Sequence, residues 1–306
     1  MRLEALLWVV AFILALAPGV AMLWYIRRLD KYEPEPGSLI GLAFLAGCLS
    51  TIPAVIIEQL LHLPISGFWG TLYGAFVVAA VTEELCKGAL AWAFMWRKPQ
   101  FNEVLDGIVY FGAAHMGFAI TENLLYVFIN SDLNVVRALM TGFARTTTAV
   151  PLHVINGMIM GYHAGMFRYA QNARDKWKHL LQAICLPILL HGIYDVAAFN
   201  QDTSQIKDIT DLFAVGFGTA LMYAAVVALW VVLLPRVKKA QEASPWRPRE
   251  WPTLPVAPTA CPGCGSAYPM GANYCHLCGT SVAEQQQYYY YYYYYYYYYY
   301  QQTGGQ

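Results

Sequence analysis

The sequence predicts an all-α protein that crosses a membrane about seven times and carries a small metal-stabilised tail. Three observations support this. Of the 306 residues, 58% are apolar and only 12% charged, where a soluble domain carries roughly a quarter charged residues. The apolar residues fall into segments of about 20, the length that spans a bilayer as a helix. Four of the seven cysteines crowd into residues 261–278. The formal charge is zero, with 19 basic and 19 acidic residues, so the chain has no electrostatic footprint for nucleic acid.

The spans are predicted at 5–26, 38–57, 70–95, 106–128, 147–167, 180–199 and 211–234. The first is too long for a signal peptide, and it ends in Trp24-Tyr25 followed by Arg27-Arg28, an interfacial aromatic belt with a basic stop. Taking alternate connections together, fourteen Lys and Arg fall on one side and four on the other, with Lys87 inside a span. This bias predicts an amino terminus outside and a carboxyl tail in the cytoplasm of a multi-pass cell-membrane protein.

After Leu234 the chain turns basic and rich in proline, so 1–235 reads as the membrane domain and 236–260 as an extended linker. Residues 261–280 form a zinc-ribbon-like module. In it Cys261-Pro262-Gly263-Cys264 and Cys275-His276-Leu277-Cys278 offer four thiolates for a tetrahedral structural Zn²⁺. Two disulfides would need an oxidising compartment, which the predicted cytoplasmic location disfavours. A closed four-cysteine site leaves no open position for chemistry, so docking of a cytoplasmic protein partner is its expected role, and His276 is a bystander. Residues 281–306, with the run Tyr288 to Tyr300, form a low-complexity Gln/Tyr tail that cannot build a varied core.

An ionisable residue at the centre of a span costs about 2.5–3.5 kcal/mol on the insertion scale, and here such residues cluster. The third span carries Glu83-Glu84-Leu85-Cys86-Lys87, with Lys87 one turn from both carboxylates. The expected division is one glutamate held by Lys87 and the other turned into a cavity. The fourth span carries Phe118 through Glu122-Asn123, with His115 two turns back on the face of Glu122; the fifth has His153 followed by Gly157, Gly161 and Gly165; the sixth has His191 and, one turn on, Asp195. The glycine stripe lets another helix approach and puts His153 on the packed side. Rough depths of these groups agree to within about 10 Å, so one shared site is geometrically feasible. Any one intramembrane histidine reads most simply as a packing residue, and a Glu-Glu-Lys group as a neutralised structural pair. Four helices each contributing at one depth point to a functional site.

Glutamate and histidine in a protected cavity suit a metal-activated water, with a spare glutamate taking the proton. Neither His-Glu-x-x-His nor Gly-x-Ser-x-Gly occurs. In their order on successive spans, Glu83-Glu84-x-x-Lys87, Phe118-x-x-x-Glu122-Asn123, His153 with its stripe and His191-Gly192-x-x-Asp195, together with the loop Asp30-Lys31-Tyr32-Glu33-Pro34-Glu35-Pro36, resemble the motifs of the PrsW intramembrane proteases. The resemblance covers about residues 1–235. It implies a relative of the CAAX prenyl endopeptidases that cuts a membrane-anchored protein, with a membrane-bound anti-sigma factor as the expected type of substrate. It also implies catalytic duty for Glu83, Glu84, Lys87, Glu122, Asn123, His153, His191 and Asp195, and a divalent metal on Glu122, His153 and His191. Two other classes compete: a non-catalytic scaffold or sensor that docks partners through the zinc module, and a transporter or proton relay. The latter is disfavoured by the lack of an evident internal repeat.

Overall fold

The computed structural model describes residues 2–129, 134–199, 209–245, 260–261, 263–266, 275 and 277–280. The Gln/Tyr tail, His276 and linker residues 246–259 lie outside the described residues. The chain divides into a helical unit, 1–241, and a second unit, 242–306.

All seven predicted segments are helical. They correspond to α1 (Arg2–Leu29), α2 (Gly37–Leu61), a continuous helical stretch from Gly67 to Met95, α5 (Val104–Phe128), α7 (Ala149–Tyr169), α8 (Ala173–Phe199) and α9 (Ile209–Ala243). Four of these, α1, α2, α5 and α8, are long and apolar enough to cross a membrane. The stretch from Gly67 is three pieces: α3 (Gly67–Leu72), a π-wound segment (Tyr73–Val81) and α4 (Thr82–Met95). Its lower half owes its polarity to Glu83, Glu84 and Lys87. Two differences from the sequence reading stand out. Helix α9 continues through Pro235 to Ala243, because Val237 to Ala243 are mostly good helix formers and one proline removes only one backbone donor. The basic stretch therefore begins as helix, not as extended linker. A short helix, α6 (Val135–Thr147), lies in the connection between the fourth and fifth predicted spans, with Asn134 Oδ1 accepting from the amides of Val136 and Arg137 at 3.1 and 3.0 Å.

Helix α5 is the axis of the bundle, packed against α7, α2, α1 and α6. Its apolar window is 94% buried, against 17% for α1. Backbone proximity makes this possible. A Cβ on Gly161 would overlap the carbonyl oxygen of Gly107, and one on Gly47 would overlap that of Ala114. The glycine stripe of α7 is thus the seam along which α5 lies, with Gly157 against His115 and Gly165 against Val104. Helix α8 packs on α7 and on the π-wound segment. These contacts bring the start of α4, the second half of α5, the first turn of α7 and the second half of α8 together inside the bundle.

Candidate active site and tail metal site

Glu84 is the hub of a buried polar network. Its Oε1 accepts from Lys87 Nζ at 2.7 Å and lies 2.8 Å from His191 Nδ1 and 3.4 Å from Asn156 Nδ2; its Oε2 lies 3.0 Å from His115 Nε2. Both carboxylate oxygens are thereby fully engaged, and the side chain is inaccessible to solvent. Glu83 has one close partner, Lys87 at 3.2 Å, and sits 3.8 Å from His191 Nε2. Lys87 therefore touches both glutamates, Glu84 more closely. This is a shared pair with unequal arms, because the flexible lysine stem places the ammonium between residues three and four positions earlier. The ammonium also meets His153 Nδ1 at 3.3 Å and lies 4.5 Å from the centre of the Phe118 ring.

His153 Nε2 reaches Glu122 Oε2 at 2.9 Å, and the same oxygen pairs with Arg145 Nη2 at 2.7 Å. Arg145 is steadied by Asn123, whose Oδ1 accepts from Arg145 Nε at 2.7 Å. Asn123 thus stands behind Glu122 and serves it through the arginine; its contacts do not reach Glu83 or His153 directly. His191 stands between Glu84 and Asp195, the latter 3.3 Å from Nε2, and its ring centre is 5.5 Å from that of His153.

The ligand trio expected for a metal was Glu122, His153 and His191. The trio whose donor atoms all lie within 4.8 Å is Glu83, Glu122 and His153. His191 is instead turned between Glu84 and Asp195. Two carboxylates and one imidazole are ordinary ligands for a catalytic divalent ion, so this donor set fits one.

Several residues here escaped the sequence reading. Arg145 lies on α6, a stretch the sequence reading treats only as the connection between the fourth and fifth spans. His115 was placed on the face of Glu122, yet it joins Glu84 through the seam with α7. Asn156, which also reaches the carbonyl of Pro187 at 3.3 Å, carried no signal beyond being polar inside a span.

In the second unit, Cys261, Cys264, Cys275 and Cys278 converge with all four Sγ atoms within 4.8 Å. Sγ of Cys261 and Cys278 are 3.4 Å apart, and those of Cys264 and Cys275 are 3.8 Å apart. Four thiolates around one zinc at about 2.3 Å lie about 3.8 Å from one another. The two knuckles repeat one design: the Gly265 amide donates to the Cys261 carbonyl, and the Gly279 amide to that of Cys275, at 2.8 and 2.9 Å. Both glycines adopt positive φ, 73° and 71°, which closes the turn beneath the four sulfurs. No disulfide joins these cysteines.

Residues 35–233 match the model of the PrsW family intramembrane metalloproteases. The chain is 30% identical over 230 residues to a Clostridioides difficile protein named Protease PrsW, covering 74% of this chain and 90% of that one. It is 35% identical over 180 residues to a Geobacillus kaustophilus protein of the same name, covering 58% and 75%. With the Bacillus subtilis protein it shares 32% identity over 181 residues, covering 59% and 78%. No solved structure matches. A multi-pass helical membrane protein with this match over most of its bundle is a member of the PrsW family of intramembrane proteases.

Proposed function

We propose that Glu83, Glu122 and His153 form the hydrolytic centre with which this chain cuts a membrane-anchored protein. The observation that carries this reading is the convergence of their donor atoms within 4.8 Å, inside a bundle where each group has a partner. Glu83 is the general base, because Glu84 is occupied on both oxygens while Glu83 has only Lys87 close by. Glu84 is the organiser: it fixes Lys87, His115 and His191, three side chains from three helices, on one carboxylate. Arg145 and Asn123 orient Glu122, and Glu122 in turn sets the ring of His153. A divalent ion held by Glu122, His153 and one oxygen of Glu83 would supply a polarised carbonyl or an acidified water, the second Glu83 oxygen being the one left to take the proton.

The substrate class we infer is a protein with a membrane span. The family resemblance adds a membrane-bound anti-sigma factor as the specific candidate. The Lys and Arg bias supports an amino terminus outside and a cytoplasmic tail in which the four cysteines hold Zn²⁺ and dock a cytoplasmic partner.

The test compares the membrane proteome of cells carrying the normal chain or Glu83→Gln. The amide keeps the shape and removes the base, so a shortened membrane protein should disappear from the variant. Its cleavage by purified chain in liposomes should then fall at least about 100-fold while thermal unfolding stays unchanged. Full cleavage by the variant would remove Glu83 from the chemistry.

A further inference from the structure

A second group of buried carboxylates lies where the connection between α1 and α2 meets the first turn of α5. Asp30 and Glu35 are each 3% exposed and Asp106 is fully buried, and one oxygen from each lies within 4.8 Å of the other two. Some of their oxygens are engaged. Asp30 Oδ1 accepts from the Glu33 amide at 3.4 Å, Glu35 Oε2 from the Tyr110 hydroxyl, and Asp106 Oδ2 from the amides of Asn102 and Glu103 at 2.6 and 2.7 Å. Asp30 Oδ2 and Asp106 Oδ1 are buried with no hydrogen-bond partner. Among the described residues no lysine, arginine or histidine forms an ion pair with any of the three. The glutamate cluster around Lys87 and Arg145 is built the opposite way, with a cation between its acids.

Carboxylates taken out of water need a donor, a proton or a cation to stay, and the donors here leave two oxygens bare. We propose that Asp30, Glu35 and Asp106 form a binding site for a hard divalent cation of calcium size, which clamps the 30–36 connection onto the start of α5. All-oxygen ligation selects a hard ion. Ca²⁺ binds oxygens at about 2.3–2.6 Å, so ligands on opposite sides of it stand about 5 Å apart, whereas Mg²⁺ at about 2.0–2.1 Å needs a tighter and near-octahedral set. Mg²⁺ also gives up its waters reluctantly and is usually held by one or two carboxylates, so a buried set of three favours the larger ion. Burial without a counter-charge pushes Asp30 up to about 6 and Glu35 up to about 7, a penalty that a bound divalent ion relieves. The site stands apart from the hydrolytic centre and does not depend on that assignment.

The experiment is equilibrium dialysis of the full chain in detergent against radioactive Ca²⁺, with thermal unfolding followed in parallel and Mg²⁺ as the comparison ion. Expected are one Ca²⁺ that Asp30→Asn loses and Glu122→Gln retains, and an unfolding temperature raised by on the order of 5 °C at saturating Ca²⁺ but not at equal Mg²⁺. Asp30→Asn preserves the turn that accepts the Glu33 amide, and Glu35→Gln gives the same comparison should Asp30→Asn fail to fold. Overturning results are no Ca²⁺ uptake by the wild-type chain, uptake equal in wild type and variants, or uptake lost in Glu122→Gln. A chain that is stabilised by acidification and indifferent to Ca²⁺ also overturns it, the three carboxyls then holding protons.

Discussion

The helical unit and the cysteine module hold polar groups in place by opposite means. In the bundle, Glu83, Glu84, Glu122, His153 and His191 are fixed by helices so close that glycine is the largest tolerated residue at Gly47 and Gly161. In the tail, four thiols are brought together by two tight turns, and the few described residues around them form no apolar core. Folding energy in the first comes from packing and internal pairing, whereas in the second a metal bound by the four thiolates would supply it. The contrast teaches that buried acids can be held together by cations interleaved among them, as Lys87 and Arg145 are.

The sharpest way to break the comparison is Gly161→Leu. Its side chain would meet the backbone of Gly107, which cannot yield as a flexible side chain can, so folded protein should be lost altogether, read as protease sensitivity in isolated membranes. Next comes Lys87→Ala, which leaves two buried glutamates without their counter-charge. A destabilisation of about 3–5 kcal/mol is expected, seen as a lowered unfolding temperature in detergent together with loss of cleavage. Arg145→Gln should be milder, about 1–3 kcal/mol, since Glu122 keeps His153 at 2.9 Å; activity should fall more than stability does. Chelation sharpens the contrast from the other side: four tail thiols should become reactive to maleimide while helicity and bundle unfolding stay unchanged. At the small end, Leu6→Ala on lipid-facing α1, where Leu6 is 58% exposed, should shift stability by less than about 0.5 kcal/mol.

Much of this was legible before any coordinates. Apolar length marked every large helix, and the glycine spacing of α7 named the seam on which α5 lies. Charged residues in apolar surroundings identified Glu83, Glu84, Lys87, Glu122, His153 and His191 individually. What could not be read was their pairing. A side chain's partner across a bundle depends on rotations and depths finer than a span boundary guessed to a few residues, so the contacts of His115 and His191 with Glu84 could not be read from the spacing. Arg145 was missed for a different reason. Helix α6 has only 13 residues, too few to span, yet its strongly amphipathic pattern behind the Asn134 cap was the available signal.

The π-wound segment from Tyr73 to Val81 bears on how the helix entering the site is phased. A π turn takes about one residue more than an α turn, so the face set by α3 and the face carrying Glu83 and Glu84 are out of step with a uniform helix. Rewound as α with its nine residues kept, the stretch would turn one end against the other by on the order of half a turn, since each residue then turns about 20° further. Glu84 could then keep His115 and His191 only if Phe68 and Trp69 swung around the axis instead. The segment works as a phase shifter: its winding fixes how the face of Phe68 and Trp69 is set against that of Glu83 and Glu84.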